Sequence, residues 1–441
     1  MSKLVIGAGR SGIAAASFLA RQGFSVTLSD LKCPTDFPEL AKEVRLVWGK
    51  QTGELLAGVE QVIISPGIPL EIPIIQLAKE QAIEVIGELE LFYRNCSLPI
   101  LAVTGTNGKT TTATLLAKMI EKMGKPVLLG GNIGKALSEE ADHLPEEGFV
   151  VLEVSSYQLE ATKGFRPHIA GILNLTPDHL ERHKTMENYQ KMKEKLFINQ
   201  TCEDILFLNQ ADPIIFPMSG QAKSQVFAFD SQKPVVKGVW GDSIGLWHNL
   251  NGPVEKIIQW IENPLPGLHN RENIAMATGM ALCAGVKVEQ IEEAIREFSG
   301  VEHRIEWTRT LNEVDYYNDS KGTNPDSTVK ALESFERPVI LLAGGYDKGN
   351  DLQGLLQVAR KRKVISIFFG AARERFFKEA TELGLENLYQ ATGLEKAVGL
   401  AQELSQAGDI VLLSPACSSF DEFANYEERG REFKKWVGEL R

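Results

Sequence analysis

The sequence is poor in cysteine. Its five cysteines, Cys33, Cys96, Cys202, Cys283 and Cys417, lie far apart, and none forms a Cys-x-x-Cys pair. That spacing argues against a disulfide scaffold and a cysteine zinc site, and it fits a reducing cytoplasm. Positive charge is also in deficit: 47 Lys and Arg stand against 58 Asp and Glu, a formal net charge of −11. A general nucleic-acid binder normally carries a basic surface, so that class is disfavoured. Local basic sites for small acidic molecules remain open. No apolar run is long enough to span a bilayer. The N-terminus enters "KLVIGAG" at once, with no charged segment, apolar core and cleavage site of a secretory leader. A cytoplasmic protein without a membrane partner is the expectation. Low-complexity tracts and short-period repeats are missing as well.

What is present is a chain of 441 residues, 43% hydrophobic and 24% charged. That is too long for one ordinary core, so two or three domains are expected. "KLVIGAGRSGIAAASFLARQGFSVTLSD" reads as strand, glycine turn, helix, strand. "QVIISPG", "PILAVTG", "FVVLEVSS", "IAGILNLT" and "DILFLN" read as further buried strands, separated by helical patterns. "PVILLAGG", "VISIFFG" and "DIVLLSPA" repeat the theme near the C-terminus. Such alternation predicts parallel α/β sheets. Boundaries are expected near residue 93 and near residue 299, where "FSGVEHRIEW" opens a new section.

Two glycine loops stand out. Gly7-Ala8-Gly9-Arg10-Ser11-Gly12 is G-x-G-x-x-G between a strand and a helix, suited to close approach of a pyrophosphate. Asp30 ends the next strand, where a ribose-binding acid is expected. Read alone, this loop suggests NAD or FAD; a tight turn without a ligand is the plain alternative. The second loop is Gly105, Thr106, Asn107, Gly108, Lys109, Thr110. It departs from the standard phosphate loop because Val103 stands where the first glycine belongs. The chemistry survives: backbone N–H groups can cradle phosphate, Lys109 can neutralise it, and Thr110 can reach a magnesium ion.

Glu153 ends a buried strand, where phosphate-loop proteins often place a metal carboxylate. Asp178 and His179 follow another strand, at the edge where open sheets bind ligands. In "ENYQKMKEKLF", Tyr189, Met192, Leu196 and Phe197 define one inward helical face. Lys193 lies on that face, whereas Lys191 and Lys195 point away. An inward lysine needs a partner or a function; a stem snorkelling to water is the bland alternative. "HNRENIA", "NDSKGTNPDST" and "SPACSSFDEFANYEERG" are more polar than turns alone require.

Together, "GTNGKTT", "EVSSYQLE", "NLTPDHLERH", "HNRENIA", "EHRIE", "NDSKGTNP" and "LLSPACSSFDEF" resemble the Mur ligase family of ATP-dependent amide-forming enzymes. The resemblance covers nearly the whole chain. It implies three α/β domains. These are a Rossmann-like UDP-substrate domain (1–93), a central phosphate-loop ATPase domain (94–298) and a C-terminal Rossmann-like amino-acid-binding domain (299–441). The last two polar stretches look most like those of members that add D-glutamate to UDP-N-acetylmuramoyl-L-alanine in peptidoglycan precursor synthesis. A relative adding a different amino acid, an NAD-dependent oxidoreductase and a phosphate-loop ATPase without ligation are the competing readings.

The resemblance also implies residue roles. Arg10, Ser11, Asp30, Lys32 and Gly67 would hold uridine diphosphate, and Asn132 and His179 the rest of that substrate. ATP would lie on Gly105 to Thr111, with Asn270, Asn273, Arg304, Asp319 and Lys321. Two magnesium ions would use Thr110, Glu153, His179 and Lys193, the last carbamylated by CO₂; Lys195 is the second choice. Thr323, Lys348, Ser419, Phe420 and Tyr426 would surround D-glutamate. Closure of the C-terminal domain and a monomeric state are expected.

Overall fold

The computed structural model describes residues 2–33, 44–250, 252–265 and 267–441. Three sheets organise the chain. The first contains β1 (Ser2–Ile6), β2 (Ser25–Asp30), β3 (Val44–Trp48), β4 (Val59–Ile64) and β5 (Glu84–Gly87), all parallel, in the order β3-β2-β1-β4-β5. Leu4, Val5 and Ile6 are all buried because helices cover both faces. Val5 packs with Ala15, Phe18 and Leu19 of the helix Arg10–Arg21. On the other face Leu4 and Ile6 meet Ile74, Ile75 and Ala78 of the helix Pro73–Glu80. Each fully buried Leu, Ile or Phe contributes about 1.5–3 kcal/mol.

The second sheet has nine strands: β6 (Ile100–Thr104), β7 (Val127–Gly131), β8 (Phe149–Glu153), β9 (Ile169–Ile172), β10 (Ile205–Asn209), β11 (Gln225–Asp230), β12 (Gly238–Gly241), β13 (Gly245–His248) and β14 (Glu255–Gln259). Their order is β14-β13-β12-β11-β10-β9-β6-β8-β7. The sheet is parallel from β7 to β12, but β13 and β14 are antiparallel additions at one edge. The expectation of parallel pairing therefore fails at this edge, where the short connections 242–244 and 249–254 join neighbouring strands directly.

The third sheet contains β15 (Glu306–Leu311), β16 (Val314–Asn318), β17 (Val339–Gly344), β18 (Ile365–Phe369), β19 (Leu388–Gln390) and β20 (Ile410–Ala416). The order is β15-β16-β20-β17-β18-β19, with β15 antiparallel and the rest parallel. The chain forms two compact units: Met1–Glu262 with Arg271–Ile295, which holds the first two sheets, and Asn263–Asn270 with Arg296–Arg441, which holds the third.

Candidate active site

Most of the candidate residues emerge at carboxyl ends of adjacent strands. In the second sheet β9, β6, β8 and β7 are consecutive neighbours. They deliver Asp178 and His179, the phosphate loop, Glu153 and Asn132 to one edge. Strand order reverses around β6, the position at which open α/β sheets bind ligands.

The phosphate loop keeps its shape through two glycines. Gly105 has φ +152° and Gly108 φ +86°, and a Cβ on Gly108 would lie 2.2 Å from Asn273 Oδ1. Asn174 braces the loop: its Oδ1 accepts from Asn107 N at 2.8 Å and its Nδ2 donates to Asn107 O at 3.1 Å. Thr106 Oγ1 donates to Thr176 O at 3.1 Å. Lys109 begins the helix Lys109–Glu121 and folds its Nζ onto the carbonyls of Gly105 (3.0 Å) and Thr106 (2.7 Å). Next to it, the Thr111 hydroxyl is buried without a hydrogen-bond partner. A buried orphan hydroxyl at a helix N-terminus suits a phosphate oxygen.

Thr110 Oγ1 donates to Glu153 Oε2 at 2.6 Å, and Asn132 Nδ2 donates to Glu153 Oε1 at 2.8 Å. Glu153 is the last residue of β8 and is 1% exposed. A hydroxyl and a carboxylate form a hard oxygen set that fits magnesium. His179 sits at φ +54° and caps the short helix Leu180–His183. Its side chain is 41% exposed, with Nε2 3.5 Å from Asp178 Oδ2 and Nδ1 3.3 Å from the Tyr157 hydroxyl.

Lys193 is buried, as its helical face predicts. Its Nζ donates to Thr104 Oγ1 and Gly105 O, both at 3.0 Å, directly behind the phosphate loop. Burial, followed by the positive charge of Lys109, holds its pKa well below the usual lysine value. The helix is shorter than the sequence pattern suggests, Met186–Glu194, so Leu196 and Phe197 are buried beyond its end. Lys195 does not simply point away: from the C-cap it donates to Glu160 O at 2.6 Å and is half-buried. His183, which sequence reasoning passed over, meets Ser156 Oγ at 2.9 Å and stacks on Tyr189 at 5.2 Å.

In the first sheet, Gly7 has φ +99°, and a Cβ on Gly12 would lie 1.8 Å from Gly7 O, so helix and turn touch backbone to backbone. Asp30 accepts from Ala8 N at 2.7 Å and Lys32 N at 3.3 Å, which fixes the loop. Arg10 and Lys32 are exposed, Ser11 is half-buried, and Gly67 faces open space.

In the third sheet, adjacent β16, β20 and β17 carry the remaining loops. Asp319 is buried, accepts from Ser414 Oγ at 2.7 Å and Ile305 N at 3.3 Å, and burial raises its pKa to about 6. Arg304 has a buried Nε without a hydrogen-bond partner. Lys321 Nζ lies 5.5 Å from the Tyr426 ring centroid. Ser419 is buried, Thr323 half-buried, and Lys348 and Phe420 exposed, Phe420 at 68%. Arg429 is fully buried and binds Ser320 Oγ and the carbonyls of Ser320, Cys417 and Ser418. Asn270 and Asn273 are buried in the first turns of the helix Leu268–Cys283. Among the described residues, Glu302, His303 and Glu306 have metal-compatible spacing. Lys434 Nζ lies 2.5 Å and 2.9 Å from the two carboxylates, so a lysine already neutralises them.

A loop suited to a triphosphate and its metal, together with a second anion loop on a Rossmann-like sheet, defines a nucleotide-using enzyme of the α/β class. Sequence similarity identifies the class further. Residues 1–87 match the family model "Mur ligase MurD-like, N-terminal domain", residues 103–281 "Mur ligase middle domain", and residues 303–417 "Mur ligase, glutamate ligase domain". The chain is 41% identical over 445 residues to the UDP-N-acetylmuramoylalanine--D-glutamate ligase of a Thermoanaerobacter species, covering 99% of this chain and 98% of that one. It is 41% identical over 442 residues to the protein of the same name from Koribacter versatilis, covering 99% and 97%. The fold is similar to UDP-N-acetylmuramate-alanine ligase from Thermotoga maritima (TM-score 0.59, 19% identity, 100% of both chains). It is also similar to MurF from Acinetobacter baumannii (TM-score 0.62, 18% identity, 98% and 93% covered). The chain belongs to the Mur ligase family.

Proposed function

We propose that this chain is the ATP-dependent ligase that adds D-glutamate to UDP-N-acetylmuramoyl-L-alanine in peptidoglycan precursor synthesis. The observation that carries the reading is full-length identity to ligases of that name. The Lys109–Thr110–Glu153 geometry supplies the chemistry that such a reaction needs.

A carboxylate does not react with an amine at neutral pH because its oxide is a poor leaving group. In the first step the L-alanine carboxylate oxygen bonds to the γ-phosphorus of ATP, the bridging P–O bond breaks and ADP leaves. Two anions meet, so Lys109 and the helix N-terminus behind it neutralise charge. Magnesium, held by Thr110, Glu153, His179 and Lys193 in two sites, would add charge neutralisation on the phosphoryl oxygens. In the second step the D-glutamate amine attacks the acyl carbonyl. The tetrahedral intermediate expels phosphate, and the nitrogen loses a proton. Burial, followed by the positive charge of Lys109, holds the Lys193 pKa well below the usual lysine value, which favours the neutral amine, the form that adds CO₂ to give a carbamate and a proton. That reaction turns an amine into an anionic ligand.

The remaining roles follow the family pattern. Arg10, Ser11, Asp30, Lys32 and Gly67 hold uridine diphosphate, with Asn132 and His179 toward the acyl end. Asn270, Asn273, Arg304, Asp319 and Lys321 hold the adenine nucleotide; Thr323, Lys348, Ser419, Phe420 and Tyr426 hold D-glutamate. We assign the domains as 1–93, 94–298 and 299–441 in a cytoplasmic monomer. Among the described residues, no helix is long and apolar enough to cross a membrane.

Phosphate release from ATP and magnesium tests the reading. Release that requires both UDP-N-acetylmuramoyl-L-alanine and D-glutamate, with a matching amide, is expected. Release with L-lysine, diaminopimelate or L-alanine instead would overturn the acceptor, and release without any acceptor would overturn ligation.

A further inference from the structure

Arg182 and Glu160 carry no role in the reaction described above, yet their contacts converge on it. The helix Leu180–His183 is four residues long and lies between two left-handed residues, His179 at φ +54° and Lys184 at φ +71°. A single turn so bounded has little stability of its own and needs an external tether. Arg182 provides one. Its Nε donates to Glu160 Oε1 at 2.9 Å and its Nη2 to Glu160 Oε2 at 2.5 Å, with side chains only 14% and 10% exposed. Nη2 also donates to Ile68 O at 3.0 Å, next to Gly67 in the loop after β4.

The third contact is aromatic. The guanidinium lies 5.6 Å from the Tyr157 ring centroid, and the same ring meets the His179 imidazole edge-on at 5.0 Å. Glu160 is itself anchored, since its helix Ser156–Glu160 starts with a capping box at Ser155 and Gln158, and its carbonyl accepts from Lys195. Only a planar fork can hold a carboxylate with two nitrogens while one of them also reaches a carbonyl.

We infer that Arg182 is a positioning residue that locks the His179 loop of the second sheet to the Gly67 loop of the first. It thereby sets the distance between the substrate's nucleotide handle and the phosphoryl-transfer site. The inference rests on the proposed assignment of those two loops. Arg182 does not touch the reacting atoms in this account; it places the groups that do. Misplacement by about 1 Å costs roughly 100-fold in rate, while binding of the handle alone is unaffected.

The test uses Arg182→Met, Arg182→Lys and Glu160→Gln in the full chain. Arg182→Met should lower kcat roughly 100-fold, leaving the calorimetric Kd for uridine diphosphate within about threefold. Arg182→Lys should be intermediate, and the Arg182→Met/Glu160→Gln double variant no worse than the worse single one, because the two act as a unit. An unchanged kcat, or a kcat and a Kd that worsen together, overturns the inference. If Arg182→Met does not fold, Glu160→Gln carries the same two outcomes. Hydrogen exchange supplies a readout without turnover. The amides of Arg182, His183 and Lys184 bond to carbonyls of His179 and Leu180. They should exchange faster in whichever of these variants folds, and unaltered exchange overturns the tether. Failure of the wild-type chain to form the D-glutamyl amide would instead fault the proposed function, and the exchange result would still judge the tether.

Discussion

Three side chains allow sharp tests at the scale of single residues. Lys109 is the cation closest to the phosphate loop carbonyls, so Lys109→Ala should lower turnover roughly 10²–10³-fold. Uridine diphosphate binding by calorimetry should be unchanged, because the proposed site lies on another sheet. Lys193→Ala removes the proposed carbamate, so the variant should be inactive and partly restored by acetate or formate in a steady-state assay. Full activity without rescue would sink the carbamate assignment. Asp319 allows a test by pH. Its carboxyl titrates at about 6 in the folded protein against 3.8 as the ordinary value. The folded state therefore binds the proton more tightly. Stability from this group is fully present below pH 3.8 and is lost as pH rises through about 6. Asp319→Asn abolishes that loss, so its melting temperature relative to wild type should rise between pH 4 and pH 7.

Among the elements, the loops after β16 and β20 depend on the helix Tyr426–Glu439, which inserts Arg429 between them. Arg429 donates to three carbonyls and a hydroxyl, and Gly345 at φ +128° would place a Cβ 3.0 Å from its Nη1. Arg429→Met takes this donor from the Ser320 and Cys417 carbonyls, while Ser418 O keeps Tyr346 N, at a cost on the order of 3 kcal/mol. Urea titration should show that loss. The contrast with Lys193 explains what could be read from the sequence. Lys193 stands one helical turn from the buried Tyr189, so its inward position follows from pattern even though the helix ends before Leu196 and Phe197. β1, β4, β6, β8, β9, β10, β17, β18 and β20 were equally legible from their apolar runs, whereas the parallel β3, β7, β11, β12, β16 and β19 were not read. Asn174, Arg182 and Glu160 sit on loops or on helices of a few residues, where no period exists. Asn174 meets Asn107 across 67 positions, and Arg182 meets Glu160 across 22 and Ile68 across 114, pairings that only the sheet order creates. The antiparallel β13 and β14 escaped notice for a related reason: "GLWH" and "EKIIQ" are short and lack a continuous apolar run.

For the whole molecule, stability comes from three covered sheets rather than from cross-links. None of the five cysteines is in a disulfide, and burial raises the pKa of the Cys283 and Cys417 thiols to about 12. Thermal unfolding should therefore give the same midpoint with and without reductant; a shift of several degrees would reveal a disulfide. The family relationship also sorts the two glycine loops by domain. Under the proposed assignment the loop on the first sheet recognises a handle and the loop on the second activates a carboxylate, so the nicotinamide reading of "GAGRSG" is not needed.

Lys434 gives the C-terminal unit a different kind of independence. Its ammonium lies within 2.9 Å of both Glu302 and Glu306, where a divalent ion would otherwise sit. A lysine is covalently part of the chain and cannot be extracted by a chelator. Treatment with EDTA should thus silence catalysis while leaving this corner of the fold intact, and readdition of magnesium should restore turnover without any refolding delay.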